Sequence, residues 1–364
     1  MTNKVFLYKA QRVIKRKLGA FWGSVFYSTN KALSAMESRP YELRLELTNL
    51  CNADCIFCSY QFQKRKTEVM SDEVFLKSVN DFVSIGGGSV ALSPIVGDVL
   101  LDPQFLERVK HLRSLPQIDR IYVVTNGILL HKFGIDNILK SGLSSITLST
   151  AGFDEEMYQR VYRSNSYKRV RQNILELFQK NADLASPVPI VIALRSDRSL
   201  KDVLKDPDFQ PILKFNPIID FTWSFSSLGG RISRDVLPEA MKMKPMPKKS
   251  KTCANLYHGP MILSDGTVMA CINVAAMDGM EDLGIGNILD SDLADIWEGH
   301  RLKKIRDGFG KSTLNPTCSN CDAYKIPEIY RTSEGRERAR LNRARHNGQL
   351  VFRKTKFDEP FGGG

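Results

Sequence analysis

From about residue 41 the chain alternates short apolar runs with longer stretches in which apolar residues recur every three or four positions. The short runs are Glu42–Leu47, Ser89–Ser93, Arg120–Thr125, Ser145–Ser149, Ile190–Leu194 and Ile218–Phe225. Their apolar character and their turn-rich flanks predict strands. Helical spacing is found around Ser71–Ile85, Pro103–Leu115, Leu130–Ser141, Asp154–Lys180 and Ser199–Leu204. Strand-then-helix units in series predict a parallel sheet with right-handed crossovers. Six strands are too few for a closed barrel, so the expected fold class is α/β, a partial (β/α)6 TIM-like barrel. In such sheets chemistry gathers at the carboxyl ends of the strands.

The pattern then changes. Met241–Lys251 (MKMKPMPKKSK) reads as a linker, and Met261–Cys271 (MILSDGTVMAC) as a β-hairpin around Asp265-Gly266. A helix from about Asp292 to Arg306 and a cysteine-bearing loop, Asn315–Cys321, complete a small α+β unit. The expected division is a basic amphipathic segment (1–40), the barrel (41–237), a linker (238–252), the small unit (253–328) and a basic tail (329–364).

Composition is globular, 42% hydrophobic and 25% charged. No run of about 18 apolar residues is present to span a bilayer, and no secretory-signal pattern opens the chain, so a cytoplasmic setting is expected. Net charge is +12, but +7 of it lies within residues 1–36 and +5 within 331–364. The body between is neutral, which argues against a nucleic-acid groove. The N-terminal stretch mixes Lys4, Lys9, Arg12 and Lys15–Lys17 with Phe6, Val13, Ile14, Phe21 and Trp22. Such a helix can lie peripherally on an anionic inner-membrane face or dock on a partner; it can equally pack against its own domain.

Seven cysteines are too few for a disulfide scaffold in a chain this long, and the number is odd. Cys51, Cys55 and Cys58 directly follow the first strand, within LTNLCNADCIFCSY. Three thiolates on one loop suit iron–sulfur clusters or zinc, and the missing fourth ligand argues against a closed structural zinc site. On a four-iron cube, three thiolates leave one iron open.

At these residues the chain resembles the radical S-adenosylmethionine (SAM) enzymes, whose signature is C-x3-C-x-(aromatic)-C; Phe57 fills the aromatic place. The resemblance extends over roughly 41–235. It implies a [4Fe–4S] cluster whose open iron chelates SAM, and cleavage of SAM to methionine and a hydrogen-abstracting 5′-deoxyadenosyl radical. Val96-Gly97-Asp98 occupies the place of the family's Gly-Gly-Glu, so Gly97 and Asp98 are expected near the methionine ammonium. Asn126, in Thr125-Asn126-Gly127, is similar to an element beside the cofactor, although Asn-Gly also reads as a simple turn. Ser149 sits where relatives place a polar residue on SAM, and Arg163 and Arg195 are weaker candidates that also read as surface charges.

Cys253, Cys271, Cys318 and Cys321 remain, spaced Cys253-x12-Gly266-x4-Cys271 and then Cys318-x2-Cys321. Four thiolates suit a cluster or a zinc ribbon. With GIGNILDSDLADIW between the pairs, the region resembles the SPASM/Twitch extension of radical SAM enzymes over about 250–325. No cysteine follows the CxxC, so the resemblance implies the shorter Twitch form with one fully ligated auxiliary [4Fe–4S] cluster. A saturated cluster suits electron transfer.

The resemblance further implies a low-potential electron donor such as flavodoxin or ferredoxin. Two substrate classes compete: a hydroxylated small molecule (sugar, cyclitol or aminoglycoside) that is oxidised or epimerised, and a precursor peptide. A non-enzymatic electron-transfer or regulatory protein is a third reading. Asp220 is the candidate catalytic residue, with Trp223 and Ser224 beside it on the sixth strand. His111, His131, His258, His300 and His346 form no motif.

Overall fold

The computed structural model describes residues 29–271, 280–309, 311 and 313–327. The expected N-terminal membrane or partner helix, the basic tail and His346 therefore fall wholly or largely outside the described residues. A helix, Thr29–Ser38, precedes the first strand.

Six parallel strands form the barrel sheet: β1 (Glu42–Leu45), β2 (Gly88–Leu92), β3 (Ile118–Thr125), β4 (Ser145–Thr150), β5 (Ile190–Leu194) and β6 (Ile218–Phe221). Alternation along each strand sorts the two faces. Leu43, Leu45, Val90, Leu92, Ile121, Val123, Ile146 and Leu148 are buried against the outer helices. Arg44, Tyr122, Val124, Thr147 and Ser149, one residue out of phase, are half-exposed on the inner face. The inner face thus sets polar and partly exposed positions among the buried Ala91, Val191 and Ala193.

The sheet does not stop at six strands. The hairpin β9 (Met261–Ile262) and β10 (Thr267–Met269) joins it: β9 lies parallel to β1, with Arg44 opposite Met261, and β10 runs antiparallel to β9. With β11 (Gly284–Asn287) on β10, the order is β11-β10-β9-β1-β2-β3-β4-β5-β6. Gly266 makes the hairpin turn at φ +84°, where a side chain would be strained. The small C-terminal unit thus continues the barrel's sheet past β1.

Several expected elements are shorter or broken. Leu130–Ser141 is two helices, Leu130–Phe133 and Ile135–Lys140, parted at Gly134. Asp154–Lys180 is also two, Glu155–Tyr162 and Tyr167–Ala182, because Arg163 turns left-handed at φ 47°. The Asp292–Arg306 helix divides at Gly299 into Leu293–Glu298 and His300–Gly308. Ile218–Phe225 separates into β6 and a two-residue strand, β7 (Ser224–Phe225), which pairs with β8 (Lys242–Met243) in a second sheet. Within the expected linker, Met241 is fully buried and Lys242–Met243 pair with β7.

Candidate functional site

Beyond β1 the chain makes a long loop that carries the first three thiols, all half-exposed. Its fold is set by main-chain bonds. Cys58 N donates to Cys55 O at 3.0 Å, closing the turn between two of the cysteines. Asp54 N and Ile56 N donate to Tyr162 O and Val161 O, at the end of the helix Glu155–Tyr162. Tyr60 N donates to Cys58 Sγ at 3.4 Å. Burial pushes the Cys51 thiol up to about 12 and raises Cys55 and Cys58 as well; the three thiols also act on one another. Bare thiolates are unfavourable here, so a positively charged inorganic core would be needed to displace the protons. Among the described residues no three His, Cys, Asp or Glu side chains converge as a single-ion centre. Three thiols on one short loop, without a fourth donor, fit a larger core with an open corner.

Val96-Gly97-Asp98 lies directly against this loop. Asp98 N donates to Leu50 O at 2.7 Å. At Gly97, φ is +105°, and a Cβ would stand 2.6 Å from Thr48 O and 2.7 Å from Leu50 O. Glycine is required for that approach. Asp98, expected near an ammonium, is 2% exposed. Its oxygens receive Leu100 N (3.0 Å), Thr125 Oγ1 (2.9 Å) and Asn126 N (2.7 Å). It locks the end of β3 to the end of β2. Asn126, so held, donates Nδ2 to Asn52 Oδ1 at 2.7 Å, which connects it to the cysteine loop.

Phe57, Ser149, Arg195 and Asp220 converge at the carboxyl edge of the sheet. Ser149 on β4 is in register with Ala193 on β5, and Ala193 with Asp220 on β6, so Ser149 and Asp220 share the lumen face. Ser149 Oγ is 2.8 Å from the hydroxyl of buried Tyr162. Phe57 packs edge-on to that tyrosine ring, 5.6 Å between centroids. Just past β5, Arg195 Nη1 donates to Thr222 Oγ1 at 2.6 Å. Arg163 stands apart from this group. It is exposed and pairs with Asp54 of the cysteine loop at 3.2 Å. Trp223, 57% exposed, lies beyond the end of β6, and Ser224 belongs to β7. His111 packs on Phe75 and His258 on Tyr41, so these two serve packing.

The other four thiols come together. Cys253, Cys271, Cys318 and Cys321 line one cavity with Asn255, Leu256, Leu283, Phe309, Thr317 and Tyr324. Among the described residues no carboxylate or histidine lines it. Burial pushes Cys318 up to about 12 and raises Cys253 and Cys321. Four thiols around one mostly apolar cavity fit a fully ligated iron–sulfur cluster.

Two residues that sequence reasoning missed hold this cavity in place. Asp322, directly after Cys321, receives Ser226 Oγ (2.5 Å), Ser227 N (2.6 Å) and Ser227 Oγ (2.8 Å). These serines follow Phe225, whose ring lies 5.4 Å from Phe57 of the first cysteine loop. Buried Arg306 stacks 4.7 Å from both Tyr257 and Trp297, and its Nε and Nη2 donate to Leu256 O. An acid next to a CxxC was the one visible signal for Asp322; Arg306 had none.

Comparisons with known proteins agree with this arrangement. The model of the radical SAM superfamily matches residues 45–205, and that of an iron–sulfur cluster-binding domain, SPASM, matches 253–322. The GTP 3′,8-cyclase of Mannheimia succiniciproducens is 27% identical over 154 residues, 42% of this chain and 45% of that enzyme. That of Clostridium perfringens strain 13 is 24% identical over 161 residues, 43% and 49%. The chain spans about half the length of these curated relatives. Among solved structures, BtrN with AdoMet and 2-DOIA has a TM-score of 0.52 at 17% identity, covering 78% of this chain and 92% of that one. Streptococcus suis SuiB bound to precursor peptide SuiA scores 0.55 at 16% identity, covering 80% and 73%. At these identities the likeness is one of fold.

Proposed function

We propose, from the premise that this chain belongs to the radical SAM superfamily and carries a C-terminal SPASM iron–sulfur cluster-binding domain, that it oxidises or epimerises a hydroxylated small molecule. Such a protein uses SAM, two iron–sulfur clusters, a substrate and a reductant. Cys51, Cys55 and Cys58 would hold the cluster that binds SAM, and Cys253, Cys271, Cys318 and Cys321 the auxiliary one. With both in place, SAM supplies a 5′-deoxyadenosyl radical that removes a hydrogen atom from carbon.

One observation carries the substrate class. The lumen row at the carboxyl edge is polar and half-exposed, with Ser149, Asp220, Arg195 and Thr222 facing it beside the cysteine loop. Hydroxyl, carboxylate and guanidinium groups along one sheet edge suit a compact polyol better than an apolar substrate. Asp220 is assigned as the base that takes the proton of the substrate hydroxyl. Arg195, steadied by Thr222, is assigned to orient substrate or the SAM carboxylate, and Ser149 and Asn126 to polar contacts with SAM. Phe57 walls the cofactor, Gly97 lets the backbone close on the cysteine loop, and Arg163 braces that loop from outside. Asp98 positions Asn126. A net two-electron oxidation would remove one hydrogen atom, one proton and one electron, and a cluster held by Cys253, Cys271, Cys318 and Cys321 would supply the acceptor for that electron.

A peptide substrate is the second reading. The outer edge of β6 pairs with no described strand, and Ile218 at its start and Trp223 just past its end are exposed. An extended peptide can add to such an edge. SuiB, of like fold, was solved with a precursor peptide.

Anaerobically reconstituted protein should release 5′-deoxyadenosine from SAM, and Cys55→Ala should abolish that release. With polyols deuterated at the carbinol carbon, deuterium should appear in 5′-deoxyadenosine, and Asp220→Asn should keep SAM cleavage while losing oxidation. Deuterium transfer from peptides alone would replace the first reading by the second. No SAM cleavage under strong reductant would sink both.

A further inference from the structure

Ser149 and Tyr162 meet hydroxyl to hydroxyl, with Oγ and the phenol oxygen 2.8 Å apart. Ser149 is half-exposed on the lumen face near the end of β4. Tyr162 stands behind it, 1% exposed. Its ring is clasped by Phe57, edge-on at 5.6 Å, and by Tyr158, stacked at 5.1 Å and 17°. Its carbonyl receives Asp54 N at 3.1 Å, so the phenol is fixed to the cysteine loop as well as to the sheet.

A carbon radical with no substrate to act on attacks the chain around it unless a weaker bond to hydrogen is at hand. Thiols and phenols carry such bonds. All seven cysteines belong to the two thiol groups. Tyr122 is bonded to Glu42 at the amino end of the sheet. Tyr162, by contrast, reaches a lumen side chain at the carboxyl edge. Ser149 alone would not serve, because an alcohol O–H bond is stronger than the C–H bond it would make. A hydroxyl both donates and accepts, so Ser149 can give one hydrogen and receive another in a single movement.

We propose that Ser149 and Tyr162 form a hydrogen-atom donor that quenches a carbon radical stranded at the carboxyl edge of the sheet. The inference rests on the reading of this site as one that makes such radicals from SAM. As the new C–H bond forms, the Ser149 O–H bond breaks and the Tyr162 hydrogen moves to Ser149 Oγ. The unpaired electron is left on Tyr162, where Phe57 and Tyr158 enclose the ring. One electron from a low-potential reductant and one proton from water then restore the phenol.

The experiment uses the full chain carrying both clusters, equilibrated in heavy water so that the hydroxyls carry deuterium. The clusters are reduced by titanium(III) citrate and freed of excess reductant, and SAM is added with no substrate and no thiol. Mass spectrometry reads the deuterated fraction of the 5′-deoxyadenosine released, whatever its amount. Wild type should give mainly product with one deuterium. In Tyr162→Phe the deuterated fraction should fall at least about tenfold, because an oriented donor is replaced by unoriented C–H bonds. Tyr158→Phe keeps the stacked ring and should keep the wild-type fraction. Freeze-quench EPR of wild type should show a radical whose hyperfine pattern narrows when the chain carries ring-deuterated tyrosine. Undeuterated product from wild type, an unchanged fraction in Tyr162→Phe, or a radical signal indifferent to ring deuteration overturns the donor and leaves SAM cleavage standing. No 5′-deoxyadenosine from wild type overturns the radical reading of the site and the donor with it.

Discussion

Asp322 is where the auxiliary loop is tied to the barrel mouth, and removing it tests whether that tie couples the two halves of the chemistry. Its carboxylate is buried, 6% exposed, and receives three bonds, from Ser226 Oγ, Ser227 N and Ser227 Oγ. Hydrogen bonds to a charged group contribute about 1.5–3 kcal/mol each. In Asp322→Ala the serine hydroxyls can turn to water, but the Ser227 N–H is left stranded, so the expected loss is about 3–5 kcal/mol. Asp322→Asn keeps one acceptor for that N–H and offers its amide to Ser226, and should lose only about 1–2 kcal/mol. Chemical denaturation of anaerobic protein measures both losses. The functional readout is the ratio of product formed to 5′-deoxyadenosine released. Phe225 precedes the tied serines and packs on Phe57, so the tie orients the auxiliary loop against the SAM side of the barrel. In the alanine variant the ratio should fall several-fold while SAM cleavage without substrate stays near wild type, and the asparagine variant should lie between. A wild-type ratio in Asp322→Ala would refute the coupling, as would an equal loss of both activities.

Three further outcomes follow from the site. In Gly97→Ala the new Cβ would meet the carbonyls of Thr48 and Leu50, so the loop before Cys51 must shift; iron per chain should fall by about half, with the auxiliary signal retained. Arg306→Met removes two hydrogen bonds to Leu256 O and two ring contacts, about 2–4 kcal/mol, so on heating the auxiliary EPR signal should be lost earlier than in wild type. Cys318 is pushed up from 9.0 to about 12, so the folded, iron-free protein holds its proton more tightly than the unfolded chain. Its alkylation near pH 8, read by mass spectrometry, should be at least about 100-fold slower than in urea and should rise with pH; equal rates would show that burial does not govern the thiol.

The cysteine chemistry was legible because it is local. Three thiols within eight residues must share one loop, whatever the rest of the chain does. The strand centres were legible for the same reason, since alternation is a property of neighbours. Helix ends were not. The breaks at Gly134, Arg163 and Gly299 interrupt patterns whose apolar spacing continues across them, and only packing against the sheet shows where each helix stops. Ile218–Phe225 read as one strand because each residue suits a strand, yet β6 and β7 pair with different partners.

Sequence alone determined the barrel class and the division of seven cysteines into three and four, because cysteine spacing and hydrophobic period survive without coordinates. Only tertiary structure showed that Asp98 is buried and ties Leu100, Thr125 and Asn126 together, that Ser149 and Asp220 share one lumen face, and that the C-terminal hairpin extends the barrel sheet beside β1. Each of these depends on pairing between residues far apart in the chain, and pairing of that kind is settled by register and burial, which no local pattern encodes.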